Sequence, residues 1–244
     1  MNIDINCDVG EGIVNEHFLF PFISSCNIAC GGHFGSSSSI DKTIKLAIEN
    51  NVKLGAHPSF PDFKNFGRQV LRISNEALEE SLMFQIELFL ERMATFNQKM
   101  HHIKPHGALY NLIAKDSGEA EKFIRITKKY LKNCFLYVPY NSEIEKVALK
   151  NKIKIKYEAF ADRNYNTDLT LVPRSKENAL IENPEEVFNH VFCMLKHQKV
   201  KTISGKKQLI KADTFCIHGD HENSLEVLQY LHAKFTRNKI TLAK

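Results

Sequence analysis

Ionisable and amide side chains follow a series of short strand-like segments in this sequence, many of them beside glycine or proline. The residues in these positions are Asp8, Glu11, Asn27, His33, His57, Lys104, His106, Asp162, Arg163, His218 and Asp220. In an α/β barrel the active site lies at the carboxyl ends of the strands, where the following loops converge. We therefore predict that these side chains meet at one rim and carry the chemistry of the protein.

Two kinds of chemistry suit this set of residues. Asp8, His57 and His106 are candidates for holding a divalent metal ion that activates water for amide hydrolysis. Without a metal, a carboxylate or a histidine would act as general base, while lysine and histidine would stabilise a developing oxyanion. The sequence contains no H-E-x-x-H motif, and no two of these histidines have helical spacing, so both alternatives stay open.

The other histidines show no comparable placement. Seven of the eleven follow no repeated motif, namely His17, His101, His102, His190, His197, His221 and His232. We expect these seven to have ordinary structural or surface roles, with His221 nearest to the predicted rim.

The elements that must position the rim alternate in type along the chain. Strand-like patterns cover residues 3–6, 23–28, 52–56, 101–104, 135–138, 153–160 and 215–217. Helical patterns cover residues 74–97, 119–131, 144–149 and 184–197, with further helices around residues 40–48 and 225–235. Four serines at 36–39 predict the N-terminal cap of the first helix. The alternation predicts an α/β fold, a single (β/α) barrel domain of about seven strands over residues 1–244.

The composition excludes several classes of protein. The 244 residues are 43% hydrophobic and 25% charged, which is typical of a globular domain. The net charge of +5 is too small to indicate nucleic-acid binding without a concentrated basic patch. No apolar stretch approaches the roughly 18 residues of a membrane helix. The first residues lack the features of a signal peptide, so we expect a cytoplasmic protein that binds neither nucleic acid nor membrane.

Eight longer blocks of sequence occur in order along nearly the whole chain. They are residues 4–12 (DINCDVGEG), 24–31 (SSCNIACG), 55–62 (GAHPSFPD), 66–68 (FGR), 104–111 (KPHGALYN), 160–163 (FADR), 171–174 (LVPR) and 218–220 (HGD). Together these blocks resemble the LamB/YcsF family. The resemblance implies a seven-stranded β/α barrel related to the glycoside hydrolase and polysaccharide deacetylase barrels.

The resemblance also implies an activity and partners. It implies a 5-oxoprolinase that opens 5-oxoproline to L-glutamate, coupled to ATP hydrolysis, in which this type of chain works with partner subunits B and C. ATP would be the co-substrate. Because the sequence has no G-x-x-x-x-G-K-[ST] motif, ATP would bind either to another kind of surface on this chain or to the partners, and we favour the partners.

On this interpretation the rim residues take expected roles. The expected catalytic residues are Asp8, His57, Lys104, His106 and Asp162. The expected substrate-binding residues are Glu11, Asn27, His33, Arg163, His218 and Asp220. Asp8 would be the general base, with His57 and His106 around the reacting carbon. Lys104 and Arg163 would hold carboxylate or phosphoryl oxygens.

The sequence departs from the family pattern in the loop after the second strand. Gly32 stands where the family usually has an aromatic residue, Phe34 where it has a small one, and Ser36 where it has Asp. Residues 168–170 also replace a glycine expected before the L-V-P-R block. Two alternatives to the implied activity remain, a stand-alone metal-dependent amide hydrolase or deacetylase on the same type of barrel, and a non-catalytic binding module.

Overall fold

The computed structural model describes residues 1–220 and 223–244 and contains a closed barrel of seven parallel strands. The strands are β1 (Ile5–Val9), β2 (Ser25–Ala29), β3 (Lys53–His57), β4 (His102–Ile103), β5 (Phe135–Pro139), β6 (Ile155–Phe160) and β7 (Thr214–His218). Each strand pairs with the next one along the chain, and β7 closes the barrel against β1. The predicted (β/α) barrel of about seven strands is therefore confirmed.

Seven α-helices lie around the barrel in the described part of the chain. They are α1 (Ser37–Glu49), α2 (Asn75–Thr95), α3 (Gly107–Lys115), α4 (Ser117–Thr127), α5 (Glu143–Lys150), α6 (Pro184–His197) and α7 (Ser224–Arg237). The serine run caps α1 as predicted, because the Ser36 hydroxyl accepts a hydrogen bond from the backbone N–H of Ser39. Apolar side chains of the helices, such as Ile44 and Ile86, are fully buried against the outside of the barrel.

The helix α3 has no counterpart among the sequence predictions. Its N-cap is His106, three residues after β4, and the side chain of His106 makes no capping hydrogen bond. Gly107 starts the helix with φ of +55°, and a Cβ at that position would lie 2.6 Å from the carbonyl oxygen of Gly67. The usual start signal of Ser, Thr, Asp or Asn is absent here, so local sequence rules do not detect this helix.

The barrel interior holds a hydrogen-bonded polar network where such barrels usually hold branched apolar side chains. Asn27 Nδ2 donates to Asn6 Oδ1 at 2.8 Å and to Asp8 Oδ1 at 2.7 Å. Its Oδ1 lies 2.6 Å from His102 Nε2. Gly55 provides the space for this ring, since a Cβ there would lie 2.1 Å from His102 Nε2. The network therefore connects the middle of the barrel to Asp8 at the rim.

Two small pairings complete the strand structure. Residues Asn2–Ile3 pair in parallel with Thr241–Leu242, and Lys199–Lys201 pair with Lys207–Leu209 in an antiparallel hairpin. None of the helices in the described residues combines the length and hydrophobicity that crossing a membrane requires.

Candidate active site

A cavity of about 360 Å³ opens at the carboxyl ends of the barrel strands. Six of the predicted site residues line it, namely Asp8, His57, Lys104, His106, Arg163 and His218. The opposite wall comes from residues 139–142, at the end of β5 and just beyond it, and residues 168–174, after β6. Six of the eleven side chains predicted to form the rim thus line one cavity, whereas Glu11, Asn27, His33, Asp162 and Asp220 do not line it.

A buried ion-pair cluster forms the floor of the cavity. Lys104 Nζ lies 2.8 Å from Asp8 Oδ1 and 3.0 Å from Glu158 Oε1. Burial alone would raise the pKa of Asp8, but His57 in its protonated form and Lys104 together lower it well below its usual range. Burial likewise opposes the ammonium form of Lys104, yet Asp8 raises the pKa of Lys104 well above its usual value. Asp8 is therefore a carboxylate and Lys104 an ammonium at neutral pH.

His57 and His106 face each other through nitrogens that both carry lone pairs. His57 Nδ1 lies 2.7 Å from the carbonyl oxygen of Lys104, and His106 Nε2 lies 3.0 Å from that of Phe66. A carbonyl can only accept, so these two ring nitrogens carry the hydrogens. The other two nitrogens, His57 Nε2 and His106 Nδ1, are 2.9 Å apart. A proton or a cation shared between them removes the repulsion of the two lone pairs.

The two rings have different surroundings. Burial, and then the neighbouring rings of His33 and His57, lower the pKa of His106 well below its usual range. Asp8 Oδ2 lies 3.4 Å from His57 Nε2 and provides the opposite charge.

His33 and Glu11 form a neutral hydrogen bond beside this pair. The His33 ring stacks on that of His106 with centroids 3.7 Å apart. The Ser59 hydroxyl donates to the carbonyl oxygen of Phe60, so it accepts from His33 Nδ1 at 3.0 Å. His33 Nε2 is then an acceptor, 2.9 Å from Glu11 Oε1. Burial and then nearby carboxylates raise the pKa of Glu11 to about 8, so its carboxyl group is protonated and donates.

Asp162 holds His218 at the edge of the cavity. Its Oδ2 accepts from the backbone N–H and from Nδ1 of His218, both at 2.9 Å. Burial would raise the pKa of Asp162, but His218 lowers it to about 2. The pair thus has the geometry expected for a carboxylate that orients a histidine ring.

Like Glu11, His33 and His218, the other three expected substrate-binding residues already have protein partners. Asn27 is fully buried behind Asp8, in the interior network. Arg163 is buried and donates to the carbonyl oxygens of Val172 and Ala179, which fixes the loop after β6. Asp220 pairs with two arginines, and His221 lies outside the described residues.

Sequence reasoning missed Glu158, Arg68 and Arg174, which all line the cavity. Glu158 points into the barrel from β6, and a charged residue within a buried strand was the available signal. The two arginines end the F-G-R and L-V-P-R blocks. Those blocks mark their segments, but only the folded chain shows that Arg68 and Arg174 share Asp220.

The unusual loop after β2 has a local explanation. A Cβ at Gly32 would lie 2.3 Å from both Gln85 Oε1 and Ser59 Oγ, so no larger residue fits beside Gln85. A Cβ at Gly12 would lie only 2.6 Å from Phe34 Cζ, so the Phe34 ring fills the space beside Gly12. The aromatic group in this loop therefore packs against the loop after β1.

Some of these residues have the donor set of a metal site. Asp8, His57 and His106 each offer a ligand atom within 4.8 Å of the others, and the same holds for Glu11, His33 and His106 and for Asp8, Cys216 and His218. Only the first set has both a carboxylate and two ring nitrogens with converging lone pairs, because the carboxyl group of Glu11 is protonated. Asp8, His57 and His106 are therefore the residues that fit a divalent cation.

The barrel and its titratable cavity place the chain in the class of (β/α)-barrel proteins whose sites lie at the carboxyl ends of the strands. The chain belongs to the LamB/YcsF family, whose model matches residues 3–244. Proteins named as the A subunit of 5-oxoprolinase, from Bacillus cereus (strain AH820) and Bacillus anthracis (strain CDC 684 / NRRL 3495), are 38% and 37% identical to it. Each match covers 98% of this chain and 97% of the relative.

A solved structure shows the same architecture. The crystal structure of a lactam utilization protein from Thermus thermophilus superposes with a TM-score of 0.92 at 32% sequence identity. The match covers 99% of both chains.

Proposed function

We propose that this chain is the barrel subunit of a 5-oxoprolinase that opens 5-oxoproline to L-glutamate, coupled to ATP hydrolysis, together with subunits B and C. The observation that carries the proposal is the 38% identity over 98% of the chain to a protein named as the A subunit of 5-oxoprolinase. The cavity supports it, because Asp8, His57 and His106 converge at its floor with the charges that acyl chemistry needs.

The chemistry requires an activated lactam. An amide is a poor electrophile, and transfer of the terminal phosphoryl group of ATP to the lactam oxygen makes the ring carbon reactive. Water then adds to that carbon, the C–N bond breaks and the nitrogen takes up a proton, which leaves an acyl phosphate. A second water hydrolyses the acyl phosphate to the carboxylate of glutamate and inorganic phosphate. Such an activated species needs a site that limits the access of bulk water.

The histidine pair is the best general base in this site. The low pKa of Asp8 makes its carboxylate a weak base, so its charge instead stabilises the imidazolium formed when His57 and His106 accept a proton from water. Lys104 forms ion pairs with Asp8 and Glu158, and its positive charge keeps Asp8 ionised. We assign ATP binding to the partner subunits, since the sequence lacks a phosphate-binding loop motif.

A reconstituted assay tests this function. The chain is mixed with subunits B and C, and 5-oxoproline-dependent ATP hydrolysis and glutamate release are measured with each subunit omitted in turn. We expect stoichiometric phosphate and glutamate only when all three are present. Glutamate release without this chain, or none in the full mixture, contradicts the proposal. Labelled ATP that binds tightly to the isolated chain contradicts the assignment of ATP to the partners.

One observation favours a second candidate, a stand-alone metal-dependent amide hydrolase. Asp8 Oδ2, His57 Nε2 and His106 Nδ1 would hold the ion, which would lower the pKa of a bound water. Metal analysis of protein purified without chelators decides between the two. Near-stoichiometric zinc, together with lactam or acetamide hydrolysis that needs no ATP, supports this second candidate.

A further inference from the structure

Two arginines meet at the edge of the cavity from different loops. Arg68 belongs to the loop between β3 and α2, and Arg174 to the loop between β6 and α6, and both line the cavity. Asp220, which follows β7, connects them, since its Oδ2 pairs with Arg68 Nη2 and lies 3.5 Å from Arg174 Nη1. We call Arg68 and Arg174 the arginine pair.

The arginine pair has a surplus of positive charge. Two guanidinium groups share one carboxylate oxygen of Asp220, so the three side chains carry a net charge of about +1. Each guanidinium has five N–H donors, and the contacts to Asp220 use one nitrogen of each. The side chains of Arg68 and Arg174 are 41% and 30% exposed, so donors remain accessible from the cavity.

The two cations first expected to hold substrate oxygens have other partners. Lys104 is 2% exposed and lies within 3.0 Å of both Asp8 and Glu158. Arg163 is buried and is bonded to two backbone carbonyl oxygens. An anionic group that binds to Lys104 or Arg163 would have to displace these contacts. At the arginine pair it would bind to N–H donors that the contacts to Asp220 leave unused.

The arginine pair also lies beside the reacting groups. The Arg68 guanidinium lies over the Phe66 ring, 5.0 Å from its centroid. The backbone carbonyl of Phe66 accepts the hydrogen bond that fixes His106. The phenyl ring of Phe66 contacts the rings of His33 and His106. A small molecule held by Arg68 is therefore next to the histidines.

We propose that Arg68 and Arg174, bridged by Asp220, bind an oxyanion of the substrate, and that this group is the carboxylate of 5-oxoproline or the phosphate transferred to it. The inference rests on the proposed function. Two planar guanidinium groups suit a carboxylate or a phosphate, both of which accept paired hydrogen bonds. Asp220 is then a positioning residue that offsets the repulsion between the two arginines.

Titration calorimetry of the isolated full chain tests the site with three ligands. These are 5-oxoproline, 2-pyrrolidinone, which is the same lactam without its carboxylate, and inorganic phosphate. We expect wild-type protein to bind 5-oxoproline more tightly than 2-pyrrolidinone. Arg68→Gln and Arg174→Gln should each weaken 5-oxoproline binding about 10- to 100-fold and leave 2-pyrrolidinone binding unchanged. Arg72→Gln, an exposed arginine in the same loop, is the matched control and should bind like wild type.

The outcomes separate the two ligand sources and the two proposals. Binding of phosphate but not 5-oxoproline, lost in both variants, assigns the site to the phosphoryl group. Three outcomes overturn the site. The first is equal binding of 5-oxoproline and 2-pyrrolidinone without phosphate binding, the second is variants that bind like wild type, and the third is no binding of any ligand. In the reconstituted complex, the variants should raise KM for 5-oxoproline more than they lower kcat. If the wild-type complex releases no glutamate, the proposed function fails while the titrations still decide the site.

Discussion

At the scale of single residues, hydrogen bonds to backbone carbonyls fix the tautomers of the site. His57 and His106 each donate to a carbonyl oxygen, and His33 donates to a hydroxyl group that is itself committed as a donor. Because a carbonyl oxygen cannot donate, these contacts determine which ring nitrogen faces the next group. The site is thereby set to accept one proton between His57 and His106 and to keep Glu11 protonated.

Removing one of these rings should abolish most of the activity. We expect His106→Ala to lower kcat of the reconstituted complex about 100-fold or more, because the pair then loses the nitrogen that shares the proton. Steady-state glutamate release measures this. His197→Ala, at an exposed position on α6, is the control and should retain wild-type kcat. Unchanged turnover in His106→Ala would remove the histidine pair from the mechanism.

The hydroxyl group of Tyr110 is a buried polar group at the cavity that a ligand could hydrogen-bond, and a substitution tests this role. Its hydroxyl is buried at the cavity and forms no well-aligned hydrogen bond with a described residue, and the Glu158 carboxylate, which pairs with Lys104, is its charged neighbour. Burial and then Glu158 raise the pKa of Tyr110 well above its usual value. Tyr110→Phe should raise the free energy of unfolding by about 1 kcal/mol, since it removes an unsatisfied polar group.

The same substitution should lower kcat/KM if the hydroxyl bonds the substrate. Urea denaturation and steady-state kinetics together measure the two effects. A variant that is less stable than wild type would show that Tyr110 already has a good partner in the folded protein.

At the scale of elements, the strands and most helices follow from local sequence, while α3 and the interior network do not. Apolar spacing identifies α2 and α6, and the Ser36 cap identifies the start of α1. The helix α3 depends on Gly107 fitting against Gly67, which is a contact between segments that are distant in sequence. Local propensity contains no information about such a contact.

Gly55 in β3 should tolerate no side chain. A Cβ there would lie 2.1 Å from the His102 ring, which is held by Asn27. We expect Gly55→Ala to lower the free energy of unfolding by about 1–3 kcal/mol or more, through displacement of that ring. In Gly118→Ala, a control in the first turn of α4, the new Cβ meets only Asp116 Oδ1 at 3.3 Å. Equal stability of the two variants would contradict the packing described for His102.

At the scale of the whole molecule, the buried histidines should make stability depend on pH. Burial lowers the pKa of His33, His101 and His190 to about 4, and that of His102 and His106 well below the usual value. Between about pH 6.5 and 4 the unfolded chain binds protons at these rings and the folded protein does not. Two buried carboxyl groups with raised pKa, Glu11 and Glu16, act in the opposite direction.

The effect of the five histidine rings should exceed the opposite effect of the two carboxyl groups. The free energy of unfolding should therefore fall as the pH is lowered from 6.5 to 4. A single ring such as His33, whose pKa falls from 6.5 to about 4, contributes about 3 kcal/mol. Urea denaturation at several pH values measures the slope. His190→Phe should reduce it, and His197→Phe should not. A slope of opposite sign would show that the carboxyl groups dominate.

The sequence by itself determined the type of fold and the set of residues from which the site is built. Alternating strand and helix patterns predicted the barrel, and the polar residues after the strands predicted that Asp8, His57, Lys104 and His106 would meet. These features depend on periodicity and on the geometry of parallel sheets, which neighbouring residues encode.

Only the tertiary structure decided which partner each of these residues has. It showed that Lys104 pairs with Glu158, that Asn27 lies behind Asp8, and that Arg68 and Arg174 share Asp220. It also determined protonation, because desolvation and Coulomb energy depend on the groups that surround a side chain in space. Those groups come from loops far apart in the chain, so no local pattern can specify them.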